Sequence, residues 1–259
     1  VLMGVPTFYI RLLADDRFTC EAAAKMRLFV SGSAPLSADI HRAFEQRSGH
    51  RVLERYGMTE TGMLTSNPYE GERRAGYVGP PLPGVELRIA EAESGTVLPR
   101  GEVGIVEVKG PNVFKGYWQM PEKTAAEFRA DGFFITGDMG VIDEQGYVQL
   151  VGREKDLIIS GGLNVYPAEV EAVLDEREDV AEAAVIGVPH PDLGEAVVAV
   201  LRPNGLFDGQ AIRAALRKEL AGFKVPKEII AVEDLPRNTM GKIQKKLLRE
   251  QYAGLFTGE

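Results

Sequence analysis

The sequence of 259 residues holds a single cysteine, Cys20, so no disulfide can close within it, which fits a reducing, cytoplasmic setting. No apolar run approaches the roughly 20 residues that span a bilayer. Positive charge is in deficit, 30 Lys and Arg against 38 Asp and Glu, a formal net charge of -8. That balance argues against a nucleic-acid partner, which needs a basic face. Small anions stay open as ligands, because local cations and backbone N–H groups can hold them on an acidic protein. His190 has no metal-ligand spacing with His41 or His50 and is read as structural. The single tryptophan, Trp118, and its aromatic neighbours read as core. The opening Val1-Leu2-Met3-Gly4-Val5-Pro6 has neither an initiator methionine nor a basic leader. It reads as the end of a buried strand that begins upstream, and the chain as a fragment.

Hydrophobic content of 44% with 26% charged residues describes a core-forming protein with room for one large domain or two ordinary ones. Residues 1–75 have an α/β texture. Arg27-Leu28-Phe29-Val30-Ser31 is an apolar run that turns at Gly32-Ser33-Ala34-Pro35. Leu36, Ile40, Ala43 and Phe44 then follow helical spacing, capped by Ser37 or Asp39 and ended by Gly49. Arg51-Val52-Leu53-Glu54 predicts the next strand, leading into Tyr56-Gly57-Met58-Thr59-Glu60. Over 76–152 short alternating strands separated by Gly and Pro turns predict a small antiparallel barrel or sandwich. From Arg153 the pattern becomes α+β, with helices started by Pro167, carried by Ile212, Leu216 and Leu220, and spanning Lys242 to Tyr252.

Several turns carry groups suited to nucleotide chemistry. Tyr56-Gly57-Met58-Thr59-Glu60 offers an aromatic plane, a hydroxyl for a phosphate oxygen and a carboxylate able to serve Mg²⁺. An ordinary turn with an exposed Glu accounts for it equally well. The carboxylate of Thr136-Gly137-Asp138, placed after an apolar strand, could take both ribose hydroxyls or simply cap a turn. Gly152-Arg153-Glu154-Lys155-Asp156 reads by itself as a solvated charge run. Gly241-Lys242 can deliver one ammonium to developing negative charge, or be a surface lysine before a helix.

Taken in order, these segments resemble the adenylate-forming superfamily of acyl-CoA synthetases, luciferases and peptide-synthetase adenylation domains. Ser31-Gly32-Ser33-Ala34-Pro35-Leu36, Tyr56 to Glu60, Thr136 to Asp138, Gly152 to Asp156, Gly161-Gly162-Leu163-Asn164-Val165-Tyr166-Pro167 and Gly241-Lys242 carry the likeness. The resemblance implies an incomplete large AMP-binding domain at 1–152, an α/β part at 1–75 and a β-barrel part at 76–152. A small mobile α+β domain follows at 153–259, with a hinge near Lys155. It implies ATP/AMP, Mg²⁺ and coenzyme A as ligands with a carboxylic acid as substrate. Gly32, Ser33, Ala34 and Pro35 would line the adenine and acyl pockets, and Tyr56 and Gly57 would lie by the adenine. Thr59 would meet the α-phosphate, Glu60 would hold Mg²⁺, and Asp138 would take the ribose with Arg153 nearby. Lys242 would bridge the carboxylate and the α-phosphate, and Gly162 would border the thiol channel.

One family element has no counterpart: nothing matches the Ser/Thr/Gly-rich, lysine-ended loop that wraps the β- and γ-phosphates. The fragment is therefore expected to adenylate poorly alone, with the missing N-terminal half as its partner. Gly4 to Tyr9, Glu54 to Met63 and Pro111 to Trp118 look most like malonyl-CoA synthetases. A dicarboxylate needs a cation for its unreacting carboxylate, and an arginine fork suits it. Arg11 is the candidate and Arg55 its rival; a monocarboxylate-specific enzyme and a non-catalytic nucleotide-binding fragment are the alternative readings. The basic helix with Lys245, Lys246 and Arg249 could meet CoA phosphates or be a solvated face.

Overall fold

The computed structural model describes residues 1–238 and 241–256. The chain divides into two compact units, Val1–Val151 and Gly152–Glu259.

The first unit opens with β1 (Leu2–Gly4), α1 (Pro6–Leu13), α2 (Cys20–Ala23), β2 (Phe29–Ser31), α3 (Ala38–Ser48), β3 (Leu53–Met58) and β4 (Gly62–Ser66). Strands β1, β2 and β3 run parallel, and β4 returns antiparallel to β3. Local chemistry sets the helices. Pro6 starts α1 where its missing N–H costs nothing, and the Ser37 hydroxyl accepts the Ile40 N–H at 3.2 Å to cap α3. Gly49 ends α3 in the left-handed region at φ 74. Tyr9, Phe29 and Phe44 are fully buried together, with ring centroids of Phe44 at 5.1 Å from Tyr9 and 4.9 Å from Phe29. Edge-to-face contacts of this kind add to the burial of large rings. The strand expected at the start exists but is not buried: β1 is an edge strand, and Met3 is 63% exposed.

The second part of this unit contains β5 (Glu86–Ala90), β6 (Gly104–Lys109), α4 (Pro121–Ala126), β7 (Phe134–Ile142) and β8 (Val148–Arg153). The strands expected to form a barrel make an open sheet in the order β5-β6-β7-β8, with β5 and β8 at its edges. Four strands are too few to curl into a closed, filled barrel. One edge is instead met by Gly79, which bridges Val148 of β8. Trp118, expected in the core, is 86% exposed. Its neighbours Phe114, Phe128 and Phe134 do pack together, at 5.3 to 5.9 Å between centroids.

The second unit has β9 (Ile158–Ser160), β10 (Leu163–Val165), α5 (Pro167–Asp175), β11 (Val180–His190), β12 (Gly194–Pro203), α6 (Gly209–Glu219), β13 (Glu228–Ala231) and α7 (Lys245–Gln251). The long β11–β12 hairpin is its spine, and β13 joins β12 in parallel. Both faces of that spine are covered, so its residues read as near-continuous apolar runs. Val185, Val197, Ala199 and Leu201 pack with Val170 and Leu174 of α5 and Ile212 and Leu216 of α6. Ala184, Ile186, Val188, Val198 and Val200 face the other way, against Leu235 and Leu248 of α7. Among the described residues no helix is long and apolar enough to cross a membrane.

Candidate active site

Parallel strands place ligand-binding loops beyond their carboxyl ends. Here β2 ends at Ser31 and hands over to Gly32, Ser33, Ala34 and Pro35, of which the last three are exposed. Ser33 adopts φ 67, a left-handed conformation uncommon for a residue with a side chain. The Ser31 hydroxyl is buried with no hydrogen-bond partner among the described residues. A Cβ on Gly32 would come 3.4 Å from the Arg55 carbonyl, so the loop runs close along β3. Strain and an orphaned polar atom in one turn are features that cluster at ligand sites.

The Tyr56-to-Glu60 segment differs from its expected form. Tyr56, Gly57 and Met58 lie within β3, and only Thr59, Glu60 and Thr61 make the turn into β4. A register shift follows Tyr56, which pairs with Thr65 while Gly57 pairs with Met63. Gly57 is required by packing, since a Cβ there would lie 2.1 Å from the Gly62 carbonyl oxygen. Thr136-Gly137-Asp138 likewise lies inside β7 rather than after it. Ile105 pairs with Met139 and Glu107 with Ile135, leaving Val106 alone opposite three residues. This is an enlarged β-bulge, a device that re-aims side chains beside sites. Gly137 supplies φ 68, and the Thr136 hydroxyl donates to the Val106 carbonyl at 2.8 Å while accepting the Asp138 N–H at 3.1 Å.

The re-aimed side chain is Asp138, whose carboxylate accepts the Tyr56 hydroxyl at 2.6 Å. Both residues are buried, at 6% and 8% exposure, so two positions far apart in sequence meet at one point. Glu60 is held elsewhere on the same unit. Its carboxylate accepts the Tyr117 hydroxyl at 3.2 Å, and that hydroxyl lies 2.7 Å from Glu127. Loss of solvent, then Glu127 and Glu60, raise the Tyr117 pKa, so the phenol stays protonated and can serve them as a donor. Thr59 is exposed beside Glu60. Mg²⁺ is held by one or two carboxylates plus substrate phosphates, so Glu60 with Thr59 is a donor set that fits it. Among the described residues no cluster of three or more His, Cys, Asp or Glu forms a metal cage.

Sequence reasoning passed over Tyr117 and Glu127, and also a buried pair that joins α3 to β3. Glu54, 4% exposed, accepts from His41 Nδ1 at 2.7 Å and from the Gly76 N–H at 3.1 Å. Burial raises the Glu54 pKa, and His41 and the Gly76 N–H partly oppose the shift. A glutamate directly after Val52-Leu53 in a buried strand was the available signal.

Arg11 stands exposed in the last turn of α1, with no hydrogen bond or ion pair to a described residue. Arg55 instead lies against Gly32, and its Nη1 meets the Met63 sulfur at 3.1 Å.

The remaining candidates belong to the second unit. Arg153 ends β8 and is exposed, and Lys155 is exposed in the 3-10 turn Glu154–Asp156. Gly161 and Gly162 connect β9 to β10 with φ 58 and 79, a two-residue hairpin loop that needs left-handed residues. A Cβ on Gly162 would meet no described atom within 4 Å, so turn geometry alone accounts for the glycine in this unit. Lys242 is exposed at the tip side of a hairpin in which the Asn238 N–H donates to the Lys242 carbonyl at 3.0 Å. Lys245 and Arg249 are not a solvated face: they pair with Glu171 at 2.7 Å and Asp156 at 2.8 Å. His190 packs against Phe256 at 5.1 Å between ring centroids.

Comparison with known proteins identifies the family. The AMP-binding enzyme family matches residues 1–118, and the AMP-binding enzyme C-terminal domain matches residues 169–242. A malonate–CoA ligase of Arabidopsis thaliana is 40% identical over 96% of this chain and 44% of its own length. A feruloyl-CoA synthase of an Amycolatopsis species is 41% identical over 97% of this chain and 52% of its own. ATP-bound MatB from Rhodopseudomonas palustris superposes with a TM-score of 0.95 at 60% identity, over 98% of this chain and 51% of that one. The chain thus spans about half the length of the relatives it matches. Its two matched segments occur in the family's order, and by them the chain belongs to the AMP-binding enzymes.

Proposed function

We propose that this chain is the C-terminal half of an AMP-forming acid–thiol ligase of the cytoplasm that activates a carboxylic acid, malonate or methylmalonate in our reading. The observation that carries the nucleotide part is the buried Tyr56–Asp138 bond beside the strained Gly32-to-Pro35 turn. In the first half-reaction a substrate carboxylate oxygen attacks the α-phosphorus of ATP, forming an acyl-adenylate and releasing pyrophosphate. In the second the CoA thiol, losing its proton, attacks the acyl carbon and releases AMP.

Asp138 is suited to the ribose hydroxyls, because its bulge fixes the carboxylate and Tyr56 fixes its orientation. Tyr56 and Gly57 would lie by the adenine, with the Tyr56 ring stacking near it, and Gly32, Ser33, Ala34 and Pro35 would present backbone. Thr59 can donate to an α-phosphate oxygen. Mg²⁺ at Glu60 would neutralise phosphate charge. Lys242, through its ammonium, would stabilise the charge gathering between carboxylate and α-phosphate during adenylation. Arg153 and Lys155 at the unit junction would serve the ribose and the hinge, and Gly162 the thiol path.

The dicarboxylate reading rests on the 40% identity to a malonate–CoA ligase together with the local motifs named above. A feruloyl-CoA synthase is equally similar, so a monocarboxylate is the competing substrate. The test uses the complete enzyme, meaning this chain joined to the N-terminal half that its relatives possess. Pyrophosphate exchange is measured with malonate, methylmalonate, acetate, octanoate and 4-coumarate. Malonate or methylmalonate should exceed the others at least tenfold; preference for octanoate or 4-coumarate would sink the dicarboxylate assignment. No exchange with any acid would favour a nucleotide-binding fragment.

A further inference from the structure

Lys242 is exposed, on a hairpin closed by the Arg237–Ile243 bridge. The hairpin's backbone is nonetheless closely tied. Gln244 N–H donates to the Pro236 carbonyl at 2.8 Å, Gly241 N–H to the Asn238 carbonyl at 2.9 Å, and Lys242 N–H to the Asn238 side-chain oxygen at 3.0 Å. Leu235 before it and Leu248 after it are plugged into the core at 2% and 1% exposure. Apolar plugs fix the ends in position but do not fix the direction in which the hairpin points, because packing is not directional.

Direction comes from two ion pairs. Arg237 donates one arm of its guanidinium to Glu182 on β11 and another to the Gly241 carbonyl at 2.7 Å, one residue from Lys242. Lys245, at the other foot of the hairpin, pairs with Glu171 of α5 at 2.7 Å, and that carboxylate also accepts the Val185 N–H at 2.7 Å. All four side chains are mostly buried, between 18% and 29% exposed. Arg202 adds a longer contact to Glu182, at 3.4 Å, and Asp175 feels the charges of Glu171, Glu182 and Lys245. A planar guanidinium that holds a carboxylate and the loop backbone at once acts as a strut, which an ammonium cannot imitate.

We infer that Glu182 and Glu171 are positioning residues for Lys242, clamping its hairpin onto the second unit through Arg237 and Lys245. The inference rests on the reading of Lys242 as the adenylation lysine only for its consequence in turnover; the clamp itself is independent of it. A misplacement of about 1 Å can cost roughly a hundredfold in rate, so a loosened hairpin should tell on adenylation alone.

The test has two arms. In the 259-residue chain, hydrogen exchange is measured at the Gly241 and Lys242 amides of Glu182→Gln, Arg237→Lys and Lys245→Met. Exchange there should rise about tenfold in each, with β11 and β12 amides unchanged, which also shows that the variants fold. In the complete enzyme, the same variants should lose roughly tenfold in kcat for pyrophosphate exchange, with KM unchanged and thioester formation from preformed acyl-adenylate unaffected. Unchanged exchange at the two amides overturns the clamp. Raised exchange with normal adenylation overturns the positioning role. Raised exchange with no adenylation even in the unmodified enzyme leaves the clamp standing and refutes the function assigned to Lys242.

Discussion

Replacing Tyr56 by Phe deletes one oxygen and leaves the ring in its cluster with Leu64, Ile89, Val106 and Val108. The oxygen removed donates to Asp138 at 2.6 Å, with both residues under 10% exposed. A bond of that length to a carboxylate is in the charge-assisted range, worth about 1.5–3 kcal/mol. For a unit of this size each kcal/mol moves the melting midpoint by about 2–4 °C, so Tyr56→Phe should lower it by roughly 3–12 °C. Denaturant midpoints should fall with no change in slope, because no surface is newly exposed. The sole tryptophan is 86% exposed and a poor reporter, so calorimetry and far-ultraviolet circular dichroism are the assays. Tyr56→Leu, which also loses the ring, should cost about 3–5 kcal/mol. AMP affinity, measured by titration calorimetry, should weaken about three- to tenfold in Tyr56→Phe, since the carboxylate proposed to take the ribose is less firmly aimed. A midpoint shift below about 1 °C with unaltered AMP affinity would refute the reasoning, because the bond would then contribute neither to fold nor to site.

Three further outcomes follow from specific contacts. Tyr117→Phe removes the hydroxyl shared by Glu60 and Glu127, so it should cost about 1–2 kcal/mol and alter the Mg²⁺ concentration that half-saturates ATP binding; unchanged Mg²⁺ dependence would detach Glu60 from the metal. Gly57→Ala sets a Cβ 2.1 Å from the Gly62 carbonyl and should cost at least about 2 kcal/mol by forcing β3 from β4, read as a lower denaturant midpoint. The Asp175 pKa is pushed up to about 7 by desolvation first, then by Glu171 and Glu182. A raised carboxyl pKa favours the folded state most at low pH and loses that benefit as pH rises through about 7. Although desolvation of the carboxyl leads the causes, the residue as a whole is exposed to solvent, so screening keeps the effect small, and Asp175→Asn should flatten the stability profile between pH 4 and 7 without shifting the optimum far.

Legibility in the sequence tracked how local the determining physics was. The Ser37 cap, the Gly49 stop and Pro167 at the first turn of α5 are set by residues within four positions of each other, and all stand where the pattern put them. The apolar runs Val180 to Val188 and Ala196 to Leu201 read as strands for an equally local reason, since covering both faces leaves long apolar runs. The bulge at Thr136 to Asp138 was not legible, because a bulge is a property of two strands and the pairing partner Val106 is 30 positions away. For the same reason Tyr56 and Asp138 could be named separately but not joined across 82 positions. Trp118 was misjudged because aromatic content predicts burial only on average, and this ring lies outside the cluster its neighbours form.

The choice of acid is where geometry shifts the weight between two arginines. A dicarboxylate's unreacting carboxylate needs a cation beside the acyl pocket and not already engaged. Arg11 satisfies the second condition, but it projects from the exposed end of α1. Arg55 fits both under the proposed role of Gly32 in the acyl pocket: its side chain lies against Gly32, and its one side-chain partner among the described residues is the Met63 thioether, a weak acceptor that a carboxylate would displace. Arg55→Leu in the complete enzyme should therefore reduce malonate use by about 10- to 150-fold, the range for one charge-assisted hydrogen-bonded contact, while leaving acetate use within about twofold. Arg11→Leu should do the reverse of what its sequence position suggested, leaving both acids nearly untouched. Equal losses for malonate and acetate in Arg55→Leu would mean that Arg55 shapes the Gly32 loop and binds no carboxylate, and selective loss in Arg11→Leu would return the role to α1.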